Sequence, residues 1–388
     1  MAEAQRQCKE ASLVDHSAAV ISGSGERTLS LRDVLGRPEL PRALTAEQWD
    51  VVLRQARASG LAARLSYMID QHGWREAVPA AVRRHFDAER LVADKLARDV
   101  EREVQRVVEP LLLAGVPAIV LKGAAYIIGN LPSAQGRVFT DIDILVPRDD
   151  LDVAEQRLIG AGWRVEEKAP WDQRFYRRWM HQIPPMVHAT RESVVDLHFA
   201  IVPNLARSPV PSEPLFTAAQ PAPRNPVISI LAPCDMILHG ATHLFNEGEF
   251  DRALRNLADL DLLFRHFAAM PDFWTDLLER GASLGMGRPL YYALRYTSRF
   301  LYTPIPPSAI DAARQFAPPM PALMDALFEH ALRPAHPTAR DRLTGLSILF
   351  LYARGHWLRL PLYLLAPHLL HSFVARRLAK LPARESAG

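Results

Sequence analysis

The sequence predicts an α+β protein, a small mixed β-sheet flanked by an N-terminal and a C-terminal helical region. Two observations predict it. Apolar residues recur at three- and four-residue spacing through much of 44–110 and again beyond residue 233, the period of helices that bury one face. Between 111 and 200 that period gives way to short apolar runs divided by Gly and Pro, with helix signals between them. The organisation expected is a helical region over 1–110, an α+β core over 111–205, and a C-terminal helical domain over 206–388 that ends in a basic, apolar tail.

Taken in order, residues 1–25 are polar, become rich in Ala, Ser and Gly, and read as a frayed end. Thr45 stands where a helix cap belongs, with Gln48 three residues on. The helical pattern then breaks near Gly60, Gly73 and Pro79. Its longest stretch, 79–110, sets Phe86, Val92, Leu96, Val100, Val104 and Val107 at helical spacing and reads as scaffold. Gly115-Val116-Pro117 introduces a strand over 118–121, and 124–128 suits a short helix closed by Gly129-Asn130-Leu131-Pro132. A strand over 141–146 stops at Pro147. Asp149 and Asp150 favour a helix start, with Leu151, Ala154 and Leu158 as its buried stripe. A third strand fits 163–168, and 186–189 with 193–199 form a hairpin. The proline-rich 203–226 reads as a linker or wrap-around segment. Helices follow over 235–246, 251–267, 273–281 and 288–301, with several pieces beyond 309.

The chemistry gathers at the second strand. Alternation puts Asp141 and Asp143 on one face while Ile142 and Ile144 point to the core. Like charges side by side repel unless a cation lies between them, and Mg²⁺ takes one or two carboxylates together with substrate phosphates. An Asp-x-Asp pair alone recurs in strand ends and turns. Here it is joined to a Lys122-Gly123 strand break upstream and to Asp196, flanked by apolar residues, downstream. Gly123 lets the backbone approach a phosphate, or serves a turn that simply needs glycine. Lys122 pairs either with a phosphate or with one of the aspartates. Arg137 is either a planar clamp for a triphosphate or a solvated loop arginine. His198 shares a strand face with Asp196, as a base near an acceptor or as a hydrogen-bond partner of a carboxylate. His239 and His243 share a helix face, but Gly240 stands where a zinc-protease helix carries glutamate. They line a cleft or pack in the core. Asp261 falls on the apolar stripe of Leu254, Leu257 and Phe264, which requires a partner or a site.

Leu121-Lys122-Gly123, Arg137, Asp141-Ile142-Asp143-Ile144-Leu145-Val146 and Val195-Asp196-Leu197-His198 together resemble the nucleotidyltransferases of the DNA polymerase β superfamily. The likeness is strongest to stand-alone bacterial nucleotidyltransferase-like proteins, and His239-Gly240-Ala241-Thr242-His243 with Leu257-Ala258-Asp259-Leu260 adds to it. It spans residues 110–265. The resemblance implies a polymerase-β-like core, an NTP donor, Mg²⁺ or Mn²⁺ as cofactor, and transfer of a nucleoside monophosphate by a two-metal mechanism. It implies Asp141, Asp143 and Asp196 as catalytic metal ligands, and Lys122, Gly123, Ala124 and Arg137 at the nucleotide. His198, His239, His243 and Asp259 would stand on the acceptor's side. Acceptors in this superfamily range over antibiotics, proteins, RNA ends and small metabolites. With no aromatic-studded basic groove in the sequence, a small molecule or peptide is preferred to nucleic acid. One departure stands out: Gly123-Ala124 replaces the Gly-Ser or Gly-Gly of many members, so the phosphate-contacting serine is missing. Two other options stay open, a non-catalytic binding or assembly protein on the same scaffold, and a toxin-like enzyme that modifies tRNA.

Composition narrows the setting. Cys8 and Cys234 cannot build a disulfide framework or a zinc site alone, which fits a reducing cytoplasm. Glu3, Arg6, Lys9 and Glu10 interrupt the N-terminus, so no signal peptide is read there. A net charge of +3 is too small to argue for a nucleic-acid partner. The charge is uneven, however: from Arg333 onward there are nine Arg or Lys and two acids, with apolar runs at 346–352 and 360–365 between. Neither run reaches the roughly 18–20 residues of a spanning helix. The tail reads as a packed helical hairpin with a basic outer face, or as a peripheral contact for a membrane or polyanion.

Overall fold

In the computed structural model the residues described are 30–166, 170–361 and 363–364. The expectations for 1–25 and for the tail beyond 364 lie outside them. Among the described residues the chain forms fifteen α-helices and one seven-stranded mixed sheet.

The N-terminal helices are α1 (Leu31–Gly36), α2 (Ala46–Ala58), α3 (Ala62–Gln71) and α4 (Ala80–Leu113). Thr45 and Gln48 form the reciprocal capping box expected of them, each side chain bonding the other's backbone N–H. Helix α4 buries Phe86, Val104 and Val107 but leaves Val92 outside, and it runs through Pro110 to Leu113. Near a helix end the missing proline N–H forfeits one bond and the turn survives.

The strands are β1 (Ile119–Val120), β2 (Ile142–Leu145), β3 (Trp163–Val165), β4 (Met186–His188), β5 (Val194–His198), β6 (Gln220–Ala222) and β7 (Asn225–Ile230). Their order across the sheet is β3-β4-β5-β2-β1-β7-β6. Strand β2 runs parallel to β5, in a register that sets Asp143 opposite Asp196 and Leu145 opposite His198. Strand β1 is antiparallel to β2 and parallel to β7. Helix α5 (Lys122–Ile128) follows β1 directly, α6 (Leu151–Gly160) joins β2 to β3, and α7 (Pro170–Trp179), not anticipated from sequence, joins β3 to β4.

The proline-rich stretch read as a linker instead carries α8 (Glu213–Ala218) and the β6–β7 hairpin, which carries the sheet on to Ile230. Prolines fit there because β6 is an edge strand and needs no ladder donor on its outer side. Ile228 and Ile230 supply the buried alternation that the prolines masked.

Beyond the sheet come α9 (Pro233–Asn246), α10 (Ala253–Phe267), α11 (Phe273–Ser283), α12 (Gly287–Leu301), α13 (Pro307–Ala313), α14 (Pro321–Ala331) and α15 (Arg342–Arg359). Phe245, Tyr292, Tyr296 and Phe328 pack as one aromatic cluster, with ring centroids 5.0–5.9 Å apart. Asp261 has the partners its buried position demands: Thr303 Oγ1 at 2.6 Å and Arg265 Nε at 2.7 Å both donate to it. Among the described residues no helix is long and apolar enough to cross a membrane.

Candidate functional site

The site is built on the β1–α5 turn, on the facing ends of β2 and β5, and on α9 and α10. Asp143 and Asp196 face each other across the parallel pair, and His198 follows two residues after Asp196 on the same face. Ligand atoms of Asp143, Asp196 and His198 all lie within 4.8 Å of one another. Asp141 is exposed, just ahead of the first residue of β2. Its carboxylate accepts from Thr140 Oγ1 at 3.2 Å, and it stands outside that group of three.

Asp143 is the best-compensated charge of the set. Lys122 Nζ and His198 Nε2 both reach its Oδ1 at 2.9 Å. Burial pushes the carboxyl up, but Lys122 and His198 outweigh it and hold Asp143 well below the usual carboxylate range. For Asp196 the same two cations help too little. Burial and the neighbouring Asp143 charge push it up to about 6, and its Oδ1 is buried with no hydrogen-bond partner among the described residues. An unpartnered carboxylate oxygen beside an ionised carboxylate is what a cation would satisfy. Asp143 and Asp196 therefore fit a divalent metal, with His198 able to ligate or to orient Asp143.

Lys122 adopts φ 46°, a left-handed conformation that a side chain takes only under constraint. The ion pair to Asp143 and the strand-to-helix turn hold it there. Burial lowers the ammonium's affinity for its proton, but Asp143, Glu247 and Asp141 raise it more, so Lys122 stays charged. Gly123 is required by close approach: a Cβ there would meet Arg137 Nη1 at 1.8 Å and the Phe139 ring at 2.9 Å. The group lying against Gly123 is thus the chain's own guanidinium. Ala124 is buried in the hydrophobic core, whereas Lys122 and Gly123 line a cavity of about 290 Å³.

Arg137 is held by α10. Its Nε donates to Asp259 Oδ2 at 2.9 Å, and Arg64 Nη2 donates to Asp259 Oδ1 at 2.7 Å, so both carboxylate oxygens are engaged. Arg64 also donates to the carbonyls of Ser133 and Gln135, in the loop that leads to the carboxylates. Gly136, at φ 65°, makes room for it, since a Cβ there would meet the α3 backbone at 2.4 Å. The N-terminal helices thereby brace the site.

His239 and His243 do share a face of α9, but differ in setting. His239 is buried, and burial together with Lys122 and His243 holds its imidazole well below its ordinary pKa. His243 lines the cavity, with Nδ1 2.8 Å from Glu247 Oε2. The His181 ring lies 5.4 Å from that of His198, tilted by 32°, and burial lowers its pKa to about 3.

Arg64, His181, Glu247 and Arg255 were not anticipated as parts of the site. Arg64 and Arg255 did leave a signal, since each interrupts an apolar run: Ala62, Ala63 and Leu65 for one, Leu254 and Leu257 for the other. A charge embedded in a helix's buried stripe calls for a partner.

A βα turn with a basic residue, paired aspartates on adjacent parallel strands and a helical layer over them define a nucleotidyltransferase-type α+β core. The family described as uncharacterised nucleotidyltransferase matches residues 45–302, and the chain belongs to it. Neither the comparison with curated proteins nor that with solved structures gives a match.

Proposed function

We propose that this protein transfers a nucleoside monophosphate from an NTP to a hydroxyl or similar group of a small-molecule or peptide acceptor. The acceptor oxygen would attack the α-phosphorus, the α–β phosphoanhydride bond would break, and pyrophosphate would leave. The observation that carries this reading is the facing Asp143–Asp196 pair, with one carboxylate oxygen unpartnered among the described residues, beside a cavity walled by Lys122, Arg137 and Arg255. Divalent metal held by Asp143 and Asp196, with Asp141 lining the same cavity, would neutralise triphosphate charge and activate the acceptor, in the two-metal manner where both ions bind. Arg137, oriented by Asp259 and Arg64, would hold phosphate oxygens in place of the missing serine.

Calorimetric titration of each NTP with Mg²⁺ or Mn²⁺ tests it, against an Asp143→Asn/Asp196→Asn variant. Metal-dependent binding of an NTP, lost in the variant, is expected. Folded wild-type protein that binds no NTP with either metal would refute the reading and favour a non-catalytic binding protein on this scaffold.

A peripheral contact with anionic membrane is a second property we infer. Leu343, Leu346, Leu349, Phe350 and Trp357 on α15 are exposed, and Arg342 and Arg359 flank them. An apolar helix face ringed by bases suits a negatively charged lipid surface. Co-sedimentation with phosphatidylserine vesicles but not phosphatidylcholine vesicles is expected, and its loss in Leu346→Asp/Phe350→Asp.

A further inference from the structure

Arg255 is only 8% exposed, yet among the described residues it has no counter-charge of its own. Its guanidinium donates to Asn256 Oδ1 at 3.3 and 3.4 Å and to the Val138 carbonyl at 3.4 Å, all long contacts. No carboxylate lies within ion-pair distance among the described residues. Asp259, one turn along α10, attracts it, but Arg64 and Arg137 already occupy both of that carboxylate's oxygens. Buried Arg64 Nη1 also lacks a partner among the described residues, so this corner carries more guanidinium than carboxylate. Burial and the adjacent Arg137 lower Arg255 to about 9, far below an ordinary arginine.

A buried cation without a partner is destabilising unless something else brings the anion. Arg255 lines the same cavity as Lys122, Arg137 and Asp141, so the space beside it is open to a ligand. Glu249 and Asp251 line that cavity too, but they are exposed and water screens them. The Arg255 stem also packs toward Gly60, where a Cβ would lie 3.7 Å from Arg255 Cδ. Packing accounts for the stem and not for the charged head.

We propose that Arg255, beside Arg137, forms a polyphosphate subsite that takes the terminal phosphates of the donor and makes the protein select triphosphates over di- and monophosphates. The nucleotide in this inference rests on the nucleotidyltransferase reading; the affinity for a phosphate chain does not. A guanidinium is a fork of donors that makes charge-assisted, bidentate bonds to phosphate oxygens.

The test uses the full chain and two probes. With inorganic tripolyphosphate and no metal, wild-type protein should gain thermal stability, and Arg255→Met should gain none. That variant keeps the aliphatic volume, and without ligand it should melt no lower than wild type, because an uncompensated buried charge is gone. With Mg²⁺, wild type should bind an NTP at least about tenfold tighter than the matching NDP, and Arg255→Met should bind the two about equally. If Arg255→Met keeps the wild-type triphosphate preference and tripolyphosphate response, the inference fails and the function reading stands. If tripolyphosphate binds through Arg255 but no nucleotide binds, the subsite stands and the nucleotidyltransferase reading fails. Arg255→Lys, which keeps charge and loses the fork, serves where Arg255→Met does not fold, and should show a reduced preference. A preference unchanged in Arg255→Lys would likewise overturn the inference.

Discussion

Replacing Asp259 with asparagine tests whether one carboxylate on α10 holds the N-terminal helices to the site. Asp259 is 3% exposed, and its two oxygens receive Arg64 and Arg137, both largely buried. Asparagine keeps the shape but removes the charge and turns N–H donors toward a guanidinium. Breaking a buried pair by removing one partner costs about 3–5 kcal/mol, mostly from the charges left behind. Here two guanidiniums are left, so the upper half of that range is expected. At about 2–4 °C per kcal/mol for a cooperative unit of 150–250 residues, the melting temperature should fall by roughly 8–20 °C. Differential scanning calorimetry measures it, and a cycle with Arg64→Met separates the pair from its surroundings. The double variant should recover part of the loss, because one stranded charge is gone. A fall below about 2 °C, or strictly additive single effects, would refute the idea that Asp259 is the common anchor.

Two further outcomes follow from the same geometry. Gly123→Ala would put a methyl where the Arg137 guanidinium lies, so Arg137 must swing away while the backbone stays. NTP affinity should drop about tenfold, with a lower melting temperature as well because the displaced Arg137 leaves its bond to Asp259, and an unchanged affinity would count against Arg137 as the phosphate clamp. The second outcome concerns pH. His239 is buried, with its folded-state pKa well below its ordinary value of 6.5, so the unfolded chain binds the extra proton. Stability should be full above about 6.5 and decline as pH falls through that value toward the depressed one. His239→Phe should flatten this decline in chemical-denaturation midpoints measured from pH 7 to pH 5. An equal slope in both proteins would locate the acid sensitivity elsewhere.

How much of this was legible in the sequence depends on how local each cause is. Alternation alone places Asp196 and His198 on one face, and the β2–β5 pairing then sets Asp143 opposite Asp196. Capping at Thr45 and the helices expected over 235–246, 251–267 and 288–301 follow from short-range pattern, and the structure has them with starts shifted by one or two residues. Asp141 reads as an equal of Asp143, but β2 starts one residue later and leaves Asp141 exposed. The β6–β7 hairpin was hidden because proline marks linkers and edge strands alike. Arg64 could not be assigned, since its partner Asp259 lies 195 residues away. Asp261 announced its need for a partner, but only the fold brings Thr303 to it.

The charges around the cavity nearly cancel, and what is left over has a pattern. Lys122 and His198 answer Asp143, Arg64 and Arg137 answer Asp259, and His243 answers Glu247. Among the described residues an Asp196 oxygen and the Arg255 guanidinium stand outside this accounting. An unanswered oxygen within the Asp143–Asp196 pair suits a metal ion, and a lone cation on α10 suits phosphate. A protein evolved only for stability would gain by replacing both, because each lowers the free energy of the folded state when paired and raises it when not. A metal–triphosphate complex supplies both missing partners at once, positive charge at Asp196 and negative charge at Arg255. The leftovers should therefore be thermodynamically coupled. Metal should bind more weakly without the triphosphate than with it, and the triphosphate more weakly without metal, by the same factor in each direction. Asp196→Asn and Arg255→Met should each reduce that coupling, whereas two independent sites would leave each ligand's affinity indifferent to the other.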